Sequence, residues 1–107
     1  MKLWIDDVRP APEGYVWCKT TNEAKTIITC VSKMHEIECS RNLPTIEIMD
    51  LDHDAGSCAS YGGDYIRILD FMEKQGWSYP IHIHSMNPVG VQNMRSIIQR
   101  NGWEEVF

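Results

Sequence analysis

Along the chain, apolar residues recur with a period of two in some stretches and of about 3.6 in others, and the two kinds of stretch alternate. Lys2 to Asp6 is a short β-favouring run that ends in acid. Two prolines and a glycine between Asp7 and Gly14 exclude a long helix there, and Tyr15 to Lys19 predicts a second strand. Thr20 stands three residues before Glu23, the spacing of a capping box, and Ala24, Ile27, Ile28 and Val31 fall on one helical face. Glu36 to Pro44 is polar and irregular, and Thr45 to Asp52 predicts a third strand running out into Asp50-Leu51-Asp52-His53-Asp54. After a loop of small residues, a second helix from Asp64 presents Tyr65, Ile68, Leu69 and Met72 and meets a stop at Gly76. Pro80 to Ser85 predicts a fourth strand. Asn87-Pro88 then reads as a cap and a first-turn proline, opening a helix with Val91, Met94, Ile97 and Ile98 inside and an end near Gly102. Trp103 to Phe107 has room for one short edge strand.

Strands alternating with helices favour parallel, right-handed connections, so the expected architecture is a small, reduced three-layer α/β sandwich around a parallel sheet of four to five strands. With 107 residues the chain is read as one domain, 1–107. Its 43% hydrophobic and 23% charged content is ordinary for a globular protein, and no run is apolar for long enough to cross a bilayer. Asp6 and Asp7 interrupt the start too early for a secretory apolar segment, which leads to the expectation of a cytoplasmic protein. A net charge of −5 argues against a broad grip on nucleic-acid backbone and leaves open a local ligand, a phosphorylated small molecule or a nucleotide or RNA end. A homodimer is left open. Cys18, Cys30, Cys39 and Cys58 form no Cys-x-x-Cys pair and are expected as buried free thiols, and Trp4, Trp17, Trp77 and Trp103 as packing residues.

Open parallel sheets bind ligands beyond the carboxyl ends of their strands, and the polar residues gather there. Asp6 and Asp7 end the first strand, Asp52, His53 and Asp54 the third, and His84, Ser85 and Asn87 the fourth. On neighbouring strands these groups would share a pocket about 10 Å wide. Carboxylates so close repel one another unless a cation offsets them, and a hard divalent ion, magnesium or else manganese, suits a site that must also take a phosphate. His82 and His84 leave the same strand face and together offer acid and base near neutral pH. Arg9 and the N-terminus of the last helix at Asn87 supply groups for an anion. As solvated loop acids and helix caps, the same residues would need no function at all.

Three ordered stretches, Leu3-Trp4-Ile5-Asp6-Asp7-Val8-Arg9-Pro10-Ala11-Pro12, Leu51-Asp52-His53-Asp54 and Ile81-His82-Ile83-His84-Ser85-Met86-Asn87-Pro88-Val89-Gly90, resemble the cyclic-phosphate processing receiver-like domains. The resemblance runs from Met1 to about Gly102. It implies a receiver (flavodoxin-like) fold and a role in processing cyclic phosphate ends in RNA-repair settings. In ordinary response-regulator receivers the first strand ends in a magnesium-binding acid pair and the third in a phosphoryl-accepting aspartate, positions that Asp6, Asp7 and Asp52 resemble. Ser85 resembles the small hydroxyl residue of the fourth strand. The lysine expected after a fifth strand has no counterpart, because none follows Lys74, and the first helix is reduced to a proline-containing loop.

The leading expectation is therefore a metal-assisted phosphoesterase. Asp6, Asp7 and Asp52 hold the metal, His84 and His82 act as acid and base, and Arg9, His53, Ser85 and Asn87 contact phosphate. Asp52 has an alternative role as nucleophile. The competing readings are a non-enzymatic degenerate receiver that signals or binds a phosphate ligand, and a transition-metal hydrolase built on the histidines and aspartates. Asp50, an acid in a strand that should be buried, has no assigned role at this level.

Overall fold

A computed structural model describes residues 1–37 and 43–107. Four strands, β1 (Lys2–Ile5), β2 (Tyr15–Cys18), β3 (Ile48–Leu51) and β4 (Ile81–Ile83), pair in the order β2-β1-β3-β4, all parallel. Three helices follow β2, β3 and β4: α1 (Thr21–Ile37), α2 (Ile66–Gln75) and α3 (Pro88–Asn101).

Four of the helix boundaries have a local cause. The Thr20 hydroxyl oxygen accepts the Glu23 amide at 3.0 Å and donates to the Glu23 carboxylate at 3.1 Å, the capping-box contact at the start of α1. Asn87 accepts the Gly90 amide at 3.0 Å, with Pro88 in the first turn of α3. Gly76 and Gly102 end α2 and α3 in left-handed conformations that side chains disfavour. Helix α1 runs on through Glu36 and Ile37, into the stretch expected to be irregular, the remainder of which includes residues 38–42, outside the described residues. Strand β3 begins only at Ile48, because Lys2 of β1 is its first ladder partner.

Alternation in the strands sends Leu3, Ile5, Met49, Leu51 and Ile81 into one core, which Ala24, Ile28 and Val31 of α1, Ile68, Leu69 and Met72 of α2, and Met94, Ile97 and Ile98 of α3 complete. The crossovers β2-α1-β3 and β3-α2-β4 advance in the same direction, so their common right-handedness lays both helices on one face, and α3 packs beside α2. The connection from β1 to β2 runs the opposite way and belongs to the opposite face. It is the proline-containing loop, so the third layer of the sandwich is thin. The indole N–H groups of Trp4 and Trp17 donate to the backbone oxygens of Arg9 and Asp6, each at 2.8 Å, and tie that loop to the sheet. At the other edge, Ile81 donates to Glu104 at 3.1 Å and accepts from Val106 at 2.6 Å, so the tail adds a single parallel bridge beside β4.

The cysteines depart in part from expectation. Cys18 is buried, and desolvation, with Glu23 nearby, pushes its thiol up to about 11. Cys58 is half-buried and Cys30 is exposed, since position 30 lies off the stripe of α1 that faces the core. Cys39 lies outside the described residues.

Candidate functional site

Asp6 follows the last residue of β1 and is only 1% exposed. Its Oδ1 accepts the amides of Val8 and Arg9, both at 2.9 Å, which turns the chain sharply after the strand. Its Oδ2 meets Nε2 of His84 at 2.8 Å. Burial alone would raise this carboxyl, but the two amides and the imidazole outweigh it and hold Asp6 below the ordinary value. Asp7 comes next in the chain, and Asp52 follows β3 with its Oδ1 accepting the His53 amide at 2.8 Å. Carboxylate oxygens of Asp6, Asp7 and Asp52 all lie within 4.8 Å of one another. Room for Asp7 depends on a glycine: at Gly56, with φ +54°, a Cβ would overlap the Asp7 carboxylate.

His84 stands just past β4, its amide donating to Leu51 at 3.0 Å and its carbonyl accepting Nη1 of Arg9 at 3.1 Å. Its Nδ1 meets Oδ1 of Asp50 at 2.6 Å while its Nε2 meets Asp6. Since an ionised carboxylate only accepts, a carboxylate at each ring nitrogen favours the doubly protonated ring. Burial would lower the pKa of this imidazole, but Asp50 and Asp6 together raise it above the ordinary value. The ring also lies flat on the Trp4 indole, centroids 4.0 Å apart and planes 5° from parallel.

The other candidates sit around this group. His53 Nδ1 bonds Asp54 at 2.9 Å, and its ring lies against Gly90, where a Cβ would overlap it. Asp54 also accepts from Asn87 Nδ2 at 3.3 Å, and the Ser85 hydroxyl oxygen accepts the Asn87 amide at 3.1 Å. Ser85 and Asn87 thus frame the start of α3. A second set of mutually close donor atoms belongs to His53, Asp54 and Asp64, where Asp64 also accepts the Ala55 amide at 3.0 Å. Below the acids, Tyr65 is fully buried and donates to the Lys19 carbonyl at 2.7 Å; burial and then Asp7 push its hydroxyl well up.

Among the described residues, His82 makes no hydrogen bond to His84 or to the acids. Its Nδ1 bonds the Val106 carbonyl at 2.8 Å, because β4 lies beside the tail and His82 faces that neighbour, whereas His84 beyond the strand leans inward over Asp50. Besides Asp6, the His84 ring meets Asp50, which sequence reasoning left without a role, and Trp4, which it read as a packing residue. The ladder register sets Trp4 beside Asp50 and Asp50 beside His82, but no sequence spacing states that register. Hollows of about 380 and 430 Å³ lie elsewhere, the first beside Trp77 and Tyr79 and the second beside Thr26 and Tyr61. The acid cluster lines neither of them.

An all-parallel four-stranded sheet with three helices and acids at the ends of β1 and β3 defines an α/β domain of the receiver (flavodoxin-like) type. The family model described as the Cyclic-phosphate processing Receiver domain matches residues 1–100, and the chain belongs to that family. It is thus a receiver-like domain associated with cyclic-phosphate processing. Searches of curated proteins and of solved structures gave no match. Among the described residues, no helix is long and apolar enough to cross a membrane.

Proposed function

We propose that this domain is a metal-assisted phosphoesterase that opens a cyclic phosphate, or cleaves a phosphodiester, at a nucleotide or RNA end. The observation that supports it most directly is the convergence of Asp6, Asp7 and Asp52 within 4.8 Å, with His84 bonded to the first of them. Three carboxylate oxygens grouped this closely form the hard-oxygen donor set that a divalent cation such as magnesium takes. Magnesium, or manganese in its place, supplies Lewis acidity toward a phosphoryl oxygen. Asp6, Asp7 and Asp52 would hold it, and the guanidinium of Arg9, exposed beside His84, offers donors to the anion. His84 would move the proton: its Nε2–H, released from Asp6, would protonate the departing ester oxygen as that P–O bond breaks and a water oxygen bonds to phosphorus, while the proton lost by the water passes to solvent, from which the imidazole is reprotonated. A cyclic phosphate would leave as a phosphomonoester.

One observation favours a second reading, a non-enzymatic receiver that binds a phosphate ligand: both His84 nitrogens are engaged by carboxylates, and Ser85 and Asn87 by capping bonds. Incubation with 2′,3′-cyclic nucleotides, with and without magnesium or manganese, separates the two. The hydrolase reading expects metal-dependent release of monophosphate that falls about 100-fold or more in His84→Ala. No turnover of any cyclic nucleotide or general phosphodiester supports the binding module, and unchanged turnover in His84→Ala removes this histidine from the mechanism.

A further inference from the structure

An imidazole side chain has two torsions, and a group that transfers a proton must have both fixed. The backbone of His84 is held by Leu51 and Arg9, but those bonds leave the ring free to turn. Side-chain contacts remove that freedom. The flat contact with Trp4 sets the plane of the ring, and the 2.6 Å bond from Nδ1 to Asp50 sets its rotation within that plane, which aims Nε2 at Asp6. Asp50 is a mid-strand carboxylate only 9% exposed, a placement that costs stability unless the charge is paired. Among the described residues, its side chain forms a hydrogen bond with His84 alone. Trp4 is pinned in turn, with its indole N–H on the Arg9 carbonyl and Tyr15 edge-on to its ring at 6.0 Å.

We infer that Asp50 and Trp4 are positioning residues that together fix the orientation of the His84 ring at the acid cluster. They act through the imidazole, and the kinetic consequence rests on the hydrolase reading above. The geometric consequence does not.

Proton and nitrogen NMR of the full chain tests the geometry, with His84→Gln identifying the ring signals. The wild type should show a hydrogen-bonded Nδ1–H proton and ring C–H protons shifted upfield by the indole. Asp50→Ala should lose the Nδ1–H signal, and Trp4→Ala the upfield shift. Trp4→Phe should keep most of that shift. Asp50→Asn, which preserves shape and an acceptor oxygen, should keep a weaker hydrogen bond and serves in place of Asp50→Ala if that variant does not fold. In turnover of a 2′,3′-cyclic nucleotide, loss of either positioning group should lower kcat about 10–100-fold with KM within about twofold. Trp4→Phe should recover most of the loss. Ring signals that match the wild type in both the Asp50 and Trp4 variants overturn the inference, as does a kcat unchanged in both. If the wild type turns over nothing, the hydrolase reading falls by itself and the ring spectra still decide the positioning.

Discussion

On the helix-covered side of the sheet, Leu3, Ile5, Met49, Leu51 and Ile81 are fully buried among residues of all three helices. Their sequence neighbours on the other side, Trp4, Asp50 and His82, meet a loop, a histidine and the tail through single named hydrogen bonds. The same strands therefore carry two kinds of interaction. Apolar burial is non-directional and roughly proportional to area, so it tolerates small shifts. A chain of hydrogen bonds between charged groups loses its geometry when one partner is removed. The covered side holds the fold together, and the thin side, with Asp6 and His84 at its upper rim, sets the shape of the candidate site.

The largest effect should come from the covered side. Leu3→Ala should cost about 2–5 kcal/mol of stability in urea unfolding while leaving the His84 ring signals in place under folding conditions. A loss below about 1 kcal/mol, or displaced His84 signals, would erase the division between the two sides. Next in size is Gly56→Ala, which combines a positive φ with overlap of the Asp7 carboxylate and should cost about 1–3 kcal/mol. Gly14→Ala, with φ +86° but open space around it, isolates the backbone part. Only the Gly56 change should also weaken magnesium binding in calorimetry; equal effects on binding from both would detach Asp7 from the metal.

The smallest effect is the pH dependence of the metal-free protein. The folded pKa of His84 is raised, so its contribution is full below the unfolded value near 6.5 and is lost as pH rises through the higher folded value. That of Asp6 is lowered, so its contribution is present above 3.8 and is lost as pH falls through the folded value. Both are intact between 3.8 and 6.5. The stability difference between the wild type and His84→Gln should accordingly be larger near about pH 5 than at strongly alkaline pH. A difference that grows with alkalinity would reverse the assigned protonation of the ring.

Much of the covered side was legible from spacing alone. The stripe of α1 at Ala24, Ile28 and Val31, the caps at Thr20 and Asn87, and the stops at Gly76 and Gly102 are local features, and local chemistry decides them. The same periodicity, read a step further, puts Cys30 outside. The thin side was legible only in its inventory of acids and histidines. Which of them meet depends on the register Trp4-Asp50-His82 and on which strand lies at the edge, and neither is written in any one segment. Asp50 therefore looked like an anomaly beside Asp52, and His82 looked like the equal of His84.

The bridge that Glu104 to Val106 make along β4 has a bearing on solubility. Without it, Ile81 would present its amide and carbonyl to solvent along a bare strand margin, the kind of surface that recruits a second chain and seeds aggregates. Those last few residues act as a selvedge for the sheet, and a version of the protein trimmed to the family boundary at residue 100 would begin to fray there.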